Sequence, residues 1–209
     1  MTQADMAIND RKEIVVTSQK VFITQPLAAQ SLDTVIHITD EIRTATGSEF
    51  SRSNQPQDSF YPRMTLLALE DVRADCYPRK VLQTLNQSSD IISYQPAHIA
   101  RFNLTDSGLI LMELTVEPQV LQEREELARR LANYRTGTAY GKYGYKYFDN
   151  PLHITVGSNI NPSQFANIKE ILEKTYISTQ IALGPLEMYT NANWNTNHPI
   201  EIHTTNHTG

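Results

Sequence analysis

Apolar residues recur along this chain in two rhythms, a two-residue alternation and a three-to-four-residue repeat, and the switches between them outline its elements. Glu13 to Thr24 (EIVVTSQKVFIT) is rich in Val and Ile, is broken by the turn-like Ser18-Gln19 and is closed by Pro26, which predicts extended chain. From Ala28 the apolar positions Leu32, Val35, Ile36 and Ile42 recur at helical spacing, and Gly47 stands where a helix would stop. A helix is therefore predicted over 27–45, although TVIHIT within it also alternates as a strand would. Residues 47–60 read as a polar loop, RMTLLALEDV as a buried strand, and Arg79 to Asn86 as a short helix behind Pro78.

Two apolar runs between Ala97 and Thr115, HIARFNL and LILMELTV, flank Thr105-Asp106-Ser107-Gly108, which is the signature of a hairpin. Glu117 to Tyr134 follows as a helix, with Pro118 in its first turn and Val120, Leu121, Leu127 and Leu131 at helical spacing. After the odd segment YRTGTAYGKYGYKYFDN comes the strand around HITVG, then a helix from Pro162 to about Thr175 with Phe165, Ile168, Ile171 and Leu172 on one face. IALGPLEMYT and IEIHTT finish as strands. Each half thus reads as strand, helix, strand, helix and a further strand or hairpin, a pattern of two related α+β lobes without long identity between them.

With 209 residues the chain can bury a sizeable core without metals or disulfides, and residues 1–12 are polar, aperiodic and expected to be a flexible N-terminus to a single bilobal domain over 13–209. The lone Cys76 has no internal partner, no signal-like stretch opens the chain and no apolar run reaches membrane-spanning length, so a reducing cytoplasm is the expected compartment. The net charge of -5 argues against a broad surface for duplex DNA and suits a small anionic ligand better. No Gly-rich phosphate loop and no metal-ligand spacing is present, so neither metal nor cofactor is expected.

His-x-Thr occurs three times, at His37-Thr39, His153-Thr155 and His203-Thr205. Three letters are weak as a motif, but on a strand residues i and i+2 share a face, so His153 and Thr155 would present an imidazole and a hydroxyl to one side. An imidazole moves a proton near neutral pH and a hydroxyl donates to a phosphoryl oxygen. The same words describe an ordinary half-exposed strand pair. His37, with the same word HIT, is an alternative partner for His153 but is disfavoured because it falls in the first helix without a long apolar strand behind it; His203 lies in the last strand and its match reads as coincidental.

The order KVFITQPLAAQSL, a helix, a polar loop, YPRMTLLALEDV, a helix, a hairpin, a long helix and FDNPLHITVG resembles the 2H phosphoesterase superfamily, which includes 2′-5′ RNA ligase-like proteins and cyclic phosphodiesterases. The resemblance covers roughly residues 13 to 205. It implies an α+β fold of two pseudo-symmetric lobes, each an antiparallel sheet with flanking helices, around a central cleft. Each lobe would offer one His-x-Thr/Ser motif to that cleft. His153 and Thr155 match the second motif. The first should fall in RMTLLALED, where Thr65 matches the threonine but the histidine position holds Arg63. The chemistry so implied is metal-free: one histidine activates water or a hydroxyl, and the other protonates the leaving oxygen of a 2′,3′-cyclic, 2′-5′-linked or cyclic (oligo)nucleotide.

An arginine cannot shuttle that proton, because its guanidinium stays charged, but it can hold a phosphate bidentately. The expectation is thus a slowed phosphodiesterase with His153 as proton carrier and Arg63, Thr65 and Thr155 on the phosphate, or a binder of nucleotides or RNA ends without turnover. It is expected to act as a monomer. Tyr143, Tyr145, Lys146 and Tyr147 are candidate substrate-binding residues, since aromatics stack on bases while cations meet phosphates; the same alternation equally suits an amphipathic strand covering the core. EREELARR (Glu123 to Arg130) reads as a solvated helix face, Cys76 as an inert thiol, and Trp194 as a core residue or a cap on the cleft.

Overall fold

In the computed structural model, which describes residues 18–48, 62–136, 145 and 148–190, the two rhythms resolve into seven strands and four helices. In order they are β1 (Ser18–Pro26), α1 (Ala29–Thr46), β2 (Arg63–Arg73), α2 (Arg79–Ile92), β3 (Pro96–Leu104) and β4 (Ile110–Val116), then α3 (Pro118–Ala132), β5 (His153–Gly157), α4 (Pro162–Tyr176), β6 (Gln180–Ala182) and β7 (Glu187–Thr190). Two antiparallel sheets result, in the orders β2-β1-β7 and β5-β4-β3-β6. The expected α+β class with two sheeted lobes is the one observed. Residues 1–17, most of the 47–60 segment, Trp194 and the IEIHTT strand lie outside the described residues.

Local chemistry explains most of the boundaries. α1 stops at Gly47, whose φ of 63° is left-handed and whose N–H donates to the Arg43 carbonyl. Its 3.6-residue period turns Val35, Ile38 and Ile42 inward and leaves Ile36 39% exposed, so the strand-like reading of TVIHIT fails. α4 begins with a capping box, in which the Asn161 side chain accepts from the Gln164 N–H and the Gln164 side chain answers at the Asn161 N–H. α2 continues past Asn86 to Ile92, further than its polar tail Gln87-Ser88-Ser89-Asp90 predicts. Ser88 and Ser89 are buried there and their hydroxyls are paired, Ser88 with Glu123 on α3 and Ser89 with the Asn86 carbonyl.

The lobes are not halves of the sequence. IALGPLEMYT, expected as one strand, is two: β6 pairs with β3 in the second sheet and β7 with β1 in the first. The chain crosses at Leu183–Leu186, where the Gly184 N–H donates to the Pro26 carbonyl at 2.8 Å and the Gly184 carbonyl accepts from the Tyr94 N–H at 3.1 Å. A Cβ at Gly184 would stand 2.9 Å from Pro26 Cγ, so glycine permits this approach. The helices exchange too: α1 and α4 pack on the second sheet, while α2 and α3 pair with each other and α3 reaches β2. Among the described residues no helix is long and apolar enough to cross a membrane.

The 105–108 turn forms as its residues predict, with the Gly108 N–H donating to the Thr105 carbonyl and Gly108 at φ 75°. A Cβ on Gly108 would lie 2.9 Å from the Ile160 carbonyl oxygen, a backbone atom that cannot swing away. Gly108→Ala is expected to destabilise the fold by about 1–3 kcal/mol, read as a lower urea midpoint at unchanged slope.

Candidate functional site

β2 is an edge of the first sheet and β5 an edge of the second, and the two strands meet. Between them opens a cavity of about 430 Å³ whose wall includes Thr65 from β2 and His153 and Thr155 from β5. The period of two puts His153 and Thr155 on one face of β5, and an antiparallel register sets Thr155 beside Leu111 and His153 beside Glu113. Glu113 is buried and already engaged: Arg101 Nε donates to it at 2.5 Å.

His153 is held in one tautomer by its own loop. Its Nδ1 lies 2.9 Å from the Pro151 carbonyl oxygen, and since a carbonyl only accepts, Nδ1 carries the proton. In the neutral ring the Nε2 lone pair is then the available base. Pro151, which the sequence offers only as a neighbour of the motif, supplies the acceptor.

Arg63 goes elsewhere. It is 6% exposed, is not among the residues lining the cavity, and lays its guanidinium 4.1 Å from the centre of the Tyr189 ring on β7, across the middle strand β1. Tyr189 donates its hydroxyl to Glu187 Oε2 at 3.0 Å. Burial pushes the Glu187 carboxyl above its ordinary range, with the Tyr189 hydrogen bond and the charge of Arg63 opposing; burial likewise raises the Tyr189 phenol. Of the other two His-x-Thr matches, His37 is exposed on α1 and is not among the described residues lining the cavity, with the Thr39 hydroxyl spent on the Val35 carbonyl; His203 lies outside the described residues.

Of the tyrosine-lysine segment, Tyr143, Lys146 and Tyr147 lie outside the described residues. Tyr145 lines the cavity, but its ring is 4% exposed and its hydroxyl donates to the Ala128 carbonyl at 3.0 Å, which ties it to α3 and the core. Burial raises its phenol well above the usual range. Cys76 is buried, with Arg73 Nη2 at 3.1 Å and Lys80 Nζ at 3.7 Å from its sulfur, neighbours that its sequence context did not suggest.

The cavity's cations are residues that the motif search passed over. Among the described lining residues they are Lys20, Arg124 and Arg135, against one carboxylate, Glu70, which pairs with Lys20 at 3.1 Å. Arg124 corrects the reading of EREELARR as a solvated face: it is 8% exposed and donates from Nε to the Leu66 carbonyl and from Nη2 to the Phe148 carbonyl. A signal was available, because Val120, Arg124, Leu127 and Leu131 lie on one helical stripe. Among the described lining residues the cations outnumber the carboxylates beside two hydroxyls and an imidazole, an arrangement that suits an anion.

No family profile matches the chain, and no curated protein matches it. Among solved structures, Usb1 of Kluyveromyces marxianus superposes with a TM-score of 0.51 at 7% identity, over 82% of this chain and 94% of that one. The likeness is one of fold. A second structure of that protein, with uridine monophosphate, gives a TM-score of 0.45 at 10% identity over the same shares. The fold is therefore shared with a known protein, and the chemistry of the cavity has to be argued from its own residues.

Glu187 yields a pH prediction. Its folded-state affinity for a proton exceeds the unfolded one, so its contribution to stability is complete below about pH 4.5 and is lost as pH rises through the raised value. Relative to wild type, Glu187→Gln is expected to gain thermal stability between acidic and neutral pH. An unchanged difference in Tm across that range would remove the assignment.

Proposed function

We propose that this protein is a metal-independent phosphodiesterase of 2H type, acting on a 2′,3′-cyclic phosphate, a 2′-5′ linkage or a cyclic (oligo)nucleotide, with a nucleotide or RNA terminus as its partner. The observation that carries the reading is His153, locked with Nδ1–H on the Pro151 carbonyl, in one cavity wall with Thr65 and Thr155. On a cyclic phosphate, water oxygen bonds to phosphorus and the bond from phosphorus to one ribose oxygen breaks. Water gives up one proton and the ribose oxygen takes one. His153 Nε2 serves one of these transfers and solvent the other, while the Thr65 and Thr155 hydroxyls donate to the non-bridging oxygens.

The second reading, a nucleotide- or RNA-end-binding protein without turnover, is supported by the position that the resemblance gives to the first motif's histidine: it holds Arg63, which is packed on Tyr189. The two readings share the cavity and differ in whether a single histidine suffices.

Purified protein, in chelator, is to be incubated with 2′,3′-cyclic nucleotides, 2′-5′-linked dinucleotides and cyclic dinucleotides. Turnover is expected, and His153→Ala is expected to lower kcat by roughly 10²- to 10⁴-fold; wild-type binding without turnover selects the second reading. Arg63→His is expected to lower Tm, through loss of the contact with Tyr189, and to leave kcat without a gain. A faster Arg63→His enzyme would restore Arg63 to the reacting phosphate.

A further inference from the structure

Arg124 is buried in the wall of the cavity, and its surroundings hold it between the two strands that carry the motif residues. Nε donates to the carbonyl of Leu66, the residue after Thr65 on β2, at 2.9 Å. Nη2 donates to the carbonyl of Phe148, on the segment leading into His153, at 3.0 Å, and the guanidinium lies 4.4 Å from the centre of the Phe148 ring. Its backbone belongs to α3, so the group is located by three elements at once. Nη1 makes no hydrogen bond among the described residues, and Arg124 is one of the residues that line the cavity.

A guanidinium in such a place needs a counter-charge. Burial lowers its affinity for the proton, yet arginine remains a cation at any ordinary pH. Asp149 is the acid whose field favours it, but Asp149 is exposed and forms no ion pair with it among the described residues. The two carbonyls satisfy donors without neutralising charge. Burying an un-neutralised cation is costly, and an anion entering the cavity would offset that cost. A purely mechanical tie between α3 and β2 would be met by a neutral donor.

We propose that Arg124 is a phosphate-binding residue, whose Nη1 edge meets a non-bridging oxygen of the same phosphate that Thr65 and Thr155 hold. The inference rests on reading the cavity as a phosphodiester site, and it gives Arg124 the part that the motif alignment assigned to Arg63. Guanidinium geometry suits it: two nitrogens are pinned on protein carbonyls, and a ligand bound by the third would cost little further side-chain freedom.

The probe is inorganic phosphate, followed on the wild-type protein by the Arg124 side-chain N–H signals in NMR and by calorimetry. Phosphate is expected to shift those signals saturably. Arg124→Gln, checked for folding by its circular dichroism and melting, is expected to bind phosphate at least roughly tenfold more weakly; Arg124→Lys is expected to recover part of the loss, keeping charge without the fork. His153→Ala is expected to lose turnover. Wild-type Arg124 signals unmoved at high phosphate would overturn the assignment, as would a folded Arg124→Gln with unchanged affinity, and the wild-type titration decides even if that variant does not fold. Phosphate binding through Arg124 without turnover on any substrate would sink the hydrolase and keep this inference; turnover with silent Arg124 signals would do the reverse.

Discussion

The cavity exists because the chain returns. At Gly184 the last described strand leaves the second sheet for the first, and the crossing is held by a buried polar node. The Gln25 side-chain amide, 0% exposed, donates to both the Ile92 and Gly184 carbonyls, Gly184 bonds to Pro26, and the Ser93 hydroxyl accepts from the Leu186 N–H. Each such bond is worth little net, but leaving any of these groups unpaired would cost about 1–3 kcal/mol. The node therefore specifies one crossing. With β7 on one side of β1 and β2 on the other, β2 becomes the edge strand that meets β5.

Everything chemical about the cleft follows from that meeting of edges. Neither sheet alone carries the constellation: Thr65 comes from one, His153 and Thr155 from the other, and the cations that set the sign of the cavity come from β1, α3 and the residues after it. The positive wall sits on a chain of net charge -5, so overall charge says little about local field. Arg63 and Arg124 illustrate the two fates of a buried guanidinium. One is laid on an aromatic face beside a carboxylate, while the other, also on an aromatic ring, is pinned on carbonyls in the cavity wall.

Much of this was legible in the residues. Helices α1, α3 and α4 declare themselves by a 3.6-residue apolar repeat with Pro starts, a capping box or a Gly stop, and the β3–β4 hairpin by its turn. His153 and Thr155 were visible as a face, because a period of two is local geometry, while Thr65 was marked only by the resemblance. Arg63 looked chemical because of its place in an alignment of motifs; its side chain crosses to Tyr189, more than a hundred positions along the chain, and no local pattern reports that. Arg124 was masked by its neighbours, since Glu123, Glu125, Glu126, Arg129 and Arg130 make the segment look uniformly solvated. Only its phase with Val120, Leu127 and Leu131 marks it.

What the sequence determined by itself is whatever depends on bonds and contacts a few residues apart: element types, most boundaries, the turn at Gly108, and the sharing of one face by an imidazole and a hydroxyl. What only the tertiary structure decided is which elements pair and which buried charges meet the cavity. Strand partnership, the splitting of IALGPLEMYT between two sheets and the burial of Arg124 are settled by contacts between residues far apart in the chain, where hydrophobic burial is non-directional and is made specific only by register and by satisfied polar groups.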